Sequence, residues 1–340
     1  MKRNMLYLGL LTLVAGAAPL FCLLLPGPDD AKTPSATVPP GTVLQAATPE
    51  TAPSPAATAA QAIALQPLTL YDSAAGRERV VSVRDFLVGA AACEMPPDWP
   101  DDALLAQMVA SHSYALSLGQ PMTVNSAQCA GWTTAEVLQA RWGQEFDACY
   151  SRLCALAEQV QAELLLYNGT PAAACYHAIS SGRTEASQNV WVAALPYLQG
   201  VDSPWDRTAD GFEVTVTYTQ EQFADAVESL TGEAPVGEPS GWLGEAVRDE
   251  AGHVLRLTLA GQTVTGTSLR GALGLRSTNF SMAWRGGAFV VTTRGYGHCV
   301  GLSQYGARAM AAGGADWKEI LLYYFPGTEI TENRVQAHNT

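Results

Sequence analysis

Basic residues are scarce in this 340-residue chain: 19 Lys and Arg stand against 32 Asp and Glu, for a formal net charge of -13 at pH 7. A surface of that sign repels a phosphate backbone, so nucleic acid is excluded as a partner. Cysteine patterning is lacking too. The seven cysteines, at positions 22, 93, 129, 149, 154, 175 and 299, are odd in number and form no CxxC pair, so neither a zinc ribbon nor a disulfide framework is written here. Cys149 and Cys154 lie five apart on a predicted helix, about 140° around its axis, and cannot face each other for a bond. These thiols read as small buried apolar side chains. No repeat of solenoid period is visible.

Charged side chains are absent from residues 5–25, a run long enough at about 1.5 Å per residue to cross a hydrocarbon layer of about 30 Å. This predicts a transmembrane anchor over residues 1–25. Lys2 and Arg3 precede it and no basic cluster follows, which places the N-terminus in the cytoplasm and the rest of the chain outside. A cleaved signal peptide is the rival reading, since Ala15 and Ala17 form a small-residue pair, but the apolar run continues past them to Leu25 and favours retention. Residues 26–66 are rich in Pro, Ala and Thr and poor in aromatics, so they lack the apolar surface to fold. Such a stiffened tether spans roughly 35 to 120 Å depending on its extension.

Folding is expected over residues 67–340. A helix over 83–93 is stopped by Pro96 and Pro97, which leaves Glu94 at its end. A second helix begins near Pro100 and stops at Gly119, with Asp101 and Asp102 in its first turn. Asn168-Gly169 predicts a hairpin between 164–167 and 170–176, and Ala260-Gly261 a second between 254–259 and 262–265. Residues 208–252 are acidic, rich in Gly and Pro, and read as a variable insertion. Residues 303–312 look helical, and Asp316 with Glu319 has capping-box spacing for a last helix. The sum is an α+β domain, its helices and antiparallel β-hairpins framing a substrate groove.

Glu94 is the carboxyl group of most chemical interest. An apolar run precedes it, and the negative end of a helix dipole opposes its ionisation, so both burial and dipole raise its pKa toward that of a general acid. Taken alone, a Glu ahead of Met-Pro reads more readily as a solvated capping carboxylate. Two segments add context: AISSGRTE at 178–185 and RGYGHCVGLSQYGA at 294–307 are dense in Gly, Ser and polar groups. Glycines there allow backbone approach to a ligand, His298 and Gln304 supply donors and acceptors, and Tyr296 and Tyr305 can cover sugar faces. A lone GYGH would instead be a tight turn.

The blocks VRDFLVGAAACEMPPDWPDDALLAQMVASHSYAL, YHAISSGRTEASQNVW, PYLQGVDSPWD, LRGALGLRSTNF and TRGYGHCVGLSQYGARAMAAGG, in that order, resemble the stage II sporulation protein D (SpoIID) family. The resemblance implies a membrane-anchored lytic transglycosylase of endospore formers that cuts peptidoglycan glycan strands, preferably stripped of stem peptides, during engulfment. It implies Glu94 as catalytic acid and base, with His112, Ser180, Ser181, Tyr197, Gln199, Tyr296, His298 and Gln304 around the substrate. It further implies a sporulation amidase and membrane scaffold proteins as partners, and no cofactor.

Three departures stand out. His112 replaces the family's usual Arg, Gln199 replaces Lys, and Cys299 stands where a GHG sequence would place Gly. Some clostridial relatives hold zinc near residues 120–130, but here only Cys129 remains and Gln128 replaces the His, so no structural zinc is expected. Two competing readings stay open: a non-catalytic, wall-binding amidase enhancer, and a metal-dependent hydrolase built on His177 and His298.

Overall fold

The computed structural model describes residues 63–191 and 193–331. The expected anchor and nearly all of the tether lie outside the described residues, among which no helix is long and apolar enough to cross a membrane.

The chain enters through β1 (Leu68–Asp72), which pairs antiparallel with β2 (Arg77–Val81). Ser82 caps α1 (Val83–Glu94) by accepting the Asp85 amide at 3.1 Å, and Met95 leaves the helix in an extended conformation ahead of the two prolines. Gly89 in mid-helix has a packing reason, because a Cβ there would lie 2.4 Å from the Thr133 carbonyl and 2.5 Å from the Trp132 indole nitrogen. The following α2 (Asp101–Leu118) is buried on every face from Ala103 to Ala115, as expected of a helix at the centre of a core. Against it pack α1 and α4 (Phe146–Val160), and α3 (Ala135–Trp142), which follows β3 (Met122–Val124), packs on α4. β3 lies parallel to β1.

The Asn168-Gly169 turn is present, with φ of 51° and 75° at its two residues, between β4 (Leu165–Tyr167) and β5 (Thr170–Pro171). The hairpin is shorter than the sequence suggests. Beyond Ala172 the amides of Ala174 and Cys175 turn back onto the carbonyls of Ala172 and Ala173 at 2.8 Å, and the chain leaves the ladder as β6 (Tyr176–His177). After the short α5 (Ser187–Val190) come β7 (Glu213–Tyr218), α6 (Gln220–Thr231) and β8 (Leu243–Arg248). The acidic stretch thus carries regular structure. It is completed by the predicted hairpin of β9 (Val254–Leu259) and β10 (Gln262–Thr265), by α7 (Gly266–Leu273), and by β11 (Phe280–Arg285) with β12 (Ala288–Arg294).

These elements enclose a second hydrophobic core. Phe289 is fully buried at its centre, stacked on Phe223 at 3.8 Å and flanked by Trp242 and Trp284. The chain then returns to the first core through β13 (Leu302–Ser303), which runs parallel to β6. It continues through α8 (Gln304–Ala312) and α9 (Trp317–Tyr324), whose Asp316–Glu319 capping box is formed, to β14 (Glu329–Ile330) beside β4. The α+β class is therefore seen, with small sheets that are antiparallel except for two short parallel pairings. Among the described residues every cysteine is a free thiol.

Candidate active site

Glu94 closes α1 at the point where α2 and the start of α8 converge on it. Its side chain is only 7% exposed. Gln304 Nε2 donates to Glu94 Oε2 at 3.3 Å and also reaches Gln107 Oε1 at 3.3 Å, while Gln107 Nε2 donates to Ser111 Oγ at 3.0 Å. Glu94 Oε1 is buried with no hydrogen-bond partner. Burial raises the carboxyl to a pKa of about 7, the Gln304 bond pulls it down, and negative charge on the Cys129 thiol would push it further up. A carboxyl so placed stays substantially protonated near neutral pH and has one oxygen uncommitted, which is what proton donation to a neutral substrate oxygen requires.

Asp206 sets the position of Gln304. This buried carboxylate accepts the Ser180 amide at 2.9 Å, the Ser180 hydroxyl, and Ser303 Oγ at 2.8 Å, so one side chain ties the 178–185 segment to the N-cap of α8. Ser303 Oγ in turn accepts the Gly306 amide at 3.2 Å. Burial raises the Asp206 pKa, and the serine bonds oppose that rise. Gly306 matters for the same reason. A Cβ at this position would lie 1.9 Å from the Tyr324 hydroxyl and 2.6 Å from Ser203 Oγ, two groups hydrogen-bonded to each other at 2.7 Å.

A second group surrounds His298. Its ring lies 5.8 Å from His177 and 5.2 Å from Trp191, and its Nδ1 accepts the Val300 amide at 3.0 Å. Burial lowers the His298 pKa to about 3 and holds His177 well below the usual histidine range, so both rings are neutral at pH 7. His177 Nε2 and Trp191 Nε1 are buried and unpaired. Among the described residues no group of three or more His, Cys, Asp or Glu is placed to hold a metal ion.

Of the residues singled out in the sequence, Gln304 alone among the predicted substrate contacts touches Glu94. Ser180 is committed to Asp206. Ser181, next in the chain, faces the other way and lies 3.2 Å from both the Ala251 carbonyl and His253 Nε2. Tyr296 is 5% exposed, paired with Ile179 across a β-bridge and covered by the Arg276 guanidinium at 4.0 Å, so it joins two loops and does not offer a face to a sugar. Tyr197 accepts the Ala173 amide at 3.0 Å and packs on Tyr167 at 4.8 Å. Gln199 donates to the Leu195 carbonyl at 2.9 Å.

His112 is fully enclosed beside Phe86, and burial lowers its pKa to about 4. It therefore does not line a groove. One residue beyond Ser111 is a rotation of about 100° around α2, enough to turn the ring from the Gln304 side into the core.

Sequence reasoning missed Gln107, Asp206, Trp191 and the Cys93–Cys129 contact. Gln107 and Ser111 did leave a signal, as two polar residues four apart in an otherwise apolar helix. Cys129 is hydrogen-bonded to Cys93, and that bond is the main cause of its thiol pKa falling to about 6.

A family model described as stage II sporulation protein matches residues 71–181, a span that contains Glu94, Gln107 and Ser180. Stage II sporulation protein D of Bacillus subtilis (strain 168) is 31% identical over 295 residues, covering 82% of this chain and 83% of that protein. The protein of the same name from Bacillus amyloliquefaciens is 29% identical over 266 residues, covering 74% and 75%. An amidase enhancer of Bacillus subtilis is 26% identical over 294 residues, 72% of this chain but 40% of that protein. With the ordered sequence blocks and an identity of 31% across most of both chains, this protein belongs to the stage II sporulation protein D family.

Proposed function

We propose that the chain is a peptidoglycan lytic transglycosylase acting on glycan strands outside the membrane during sporulation. The observation that carries this reading is Glu94: a carboxyl buried enough to hold its proton near pH 7, with Oε1 unpaired and Oε2 steadied by Gln304. Protonation by Glu94 of the oxygen linking N-acetylmuramic acid to N-acetylglucosamine breaks the bond at the muramic C1 and frees the glucosamine 4-hydroxyl. The muramic C6 hydroxyl then bonds to C1 and gives its proton to the Glu94 carboxylate. That step restores the acid and yields a 1,6-anhydro end without consuming water. Because the nucleophile belongs to the substrate, no second carboxylate is needed on the opposite face of the sugar. Gln304 keeps the carboxyl oriented through both proton transfers and, being neutral, does not depress its pKa as a cation would.

In this reading residues 1–25 anchor the chain with its N-terminus in the cytoplasm, the 26–66 tether spans toward the wall, and an amidase and membrane scaffold proteins work beside it. Incubation of the full-length protein with de-peptided glycan should release anhydro-muramyl products, and Glu94→Gln should abolish them with the fold retained. Intact strands with the unaltered protein would overturn the enzyme reading. They would favour the second one, a non-catalytic amidase enhancer, which draws support from the relative so named and from the absence of a cation at positions 112 and 199.

A further inference from the structure

In a chain of net charge -13, three arginines converge on one pocket. The pocket has a volume of about 520 Å³ and lies between the two cores, where Ser181 and Arg207 of the first meet Arg248, Asn279, Ser281 and Arg294 of the second. Arg248 is held in place by the carbonyls of Gly252 at 2.8 Å and Phe280 at 2.7 Å, and it shares the pocket with like-charged Arg294. Arg294 is paired with Glu213 at 2.7 Å. Among the described residues, Arg207 and Arg248 have no carboxylate within salt-bridge distance. Arg207 lies flat against Gly182, where an added Cβ would meet its Nε at 2.5 Å. Arg248, held by two backbone carbonyls, and Arg207, packed against Gly182, thus form an oxyanion receptor that lacks a direct ion-pair partner.

We propose that this pocket binds a carboxylate group of the glycan strand, the free lactyl carboxylate that muramic acid bears once its stem peptide has been removed. The proposal rests on the glycan reading of the Glu94 site and deepens it. Charge favours a carboxylate over a phosphate. Three guanidiniums face Glu213 and the neighbouring Asp249, which leaves a surplus of one positive charge, matched by a single carboxylate. Asn279 and Ser281 add neutral polar groups suited to sugar hydroxyls.

Position favours the same strand. Ser180 and Ser181 are consecutive and face opposite ways, the first to Asp206 and thence to Ser303 beside Gln304, the second into the pocket. One segment therefore links the pocket to the residues that position Gln304. A muramic acid still carrying its peptide has this carboxylate converted to an amide and offers the arginines nothing to neutralise.

The test uses the full-length Glu94→Gln protein, so that binding is read without turnover and independently of whether the enzyme reading holds. Calorimetric titration with de-peptided glycan oligomers should give an affinity that falls about tenfold or more when Arg207 and Arg248 are both changed to Gln, the scale of losing hydrogen bonds to a charged group. Chemical amidation of the lactyl carboxylates should produce the same loss against the unsubstituted arginines. That arm needs no new variant and so cannot fail through misfolding. Equal affinity for amidated and free oligomers would overturn the proposal. So would a phosphate-bearing wall polymer whose binding depends on the two arginines while that of the glycan does not.

Discussion

The proton on Glu94 has a thermodynamic consequence as well as a catalytic one. Burial raises its folded-state pKa from 4.5 to about 7, so the folded protein binds the proton more tightly than the unfolded chain. Its contribution to stability is therefore undiminished below the unfolded value, declines as the pH rises between the two values, and stays at its lowest above the folded one. The accumulated cost of ionising the buried carboxyl is about 3 kcal/mol. Glu94→Gln removes that cost. Urea denaturation should show the variant gaining on the unaltered protein by roughly 2 kcal/mol more at about pH 8 than at about pH 5. A difference that does not change with pH would mean that Glu94 is solvated. Cleavage should fall as the pH rises through about 7, where the acid form in the folded protein is titrated away. The end-of-helix position behind an apolar run hinted at this carboxyl, and the resemblance of the ordered sequence blocks singled it out. Its partner Gln304 was legible as well, but Asp206 was hidden, because nothing in the PYLQGVDSPWD block tells which of its polar side chains turns inward to collect three donors.

At the scale of elements, the site depends on how closely α8 can approach α9. Gly306 permits that approach, with the Tyr324 and Ser203 hydroxyls occupying the space a side chain would need. Gly306→Ala must displace either the hydroxyl pair or the first turn of α8, and that turn carries Gln304. The expected outcome is a loss of about 1 to 3 kcal/mol of stability from overpacking. Glycan cleavage should drop by more than stability alone explains, measured where both proteins are fully folded. Unchanged turnover would show that Gln304 does not orient the acid.

The helices were legible because their stop signals are local: Pro96, Gly119, Gly313 and the Asp316–Glu319 box each act within one turn. The hairpin at Asn168-Gly169 was legible at its turn and not at its length, since the bend after Ala172 is imposed by β13, more than a hundred residues away. His112 shows the same limit. Its sequence position matches a residue expected in the groove, and the rotation of α2 about its own axis, fixed by packing on all sides, turns it inward.

Among the described residues two large cores stand out, and the sequence disclosed only one. Residues 208–252 look like a polar insertion because β7 and β8 contain no fully buried residue and α6 buries only Phe223, Ala226 and Val227; the aromatic centre comes from Phe223, Trp242, Trp284 and Phe289, scattered over more than sixty residues. The two cores have no buried residue in common. They meet through loop contacts such as Ser181 with Ala251 and through the arginine pocket. Damage to one core should therefore leave the other largely intact. Phe289→Ala removes a fully buried ring stacked on Phe223, at an expected cost of about 3 to 5 kcal/mol borne by the second core. Hydrogen exchange should accelerate across 213–294 while α1 and α2 keep their protection, and Glu94-dependent cleavage should persist. Affinity for de-peptided oligomers should decline, because Arg248, Asn279 and Arg294 all ride on the loosened core. Exchange rising equally in both regions would show that the cores unfold as one unit, and that the Glu94 site depends on the second core as much as the pocket does.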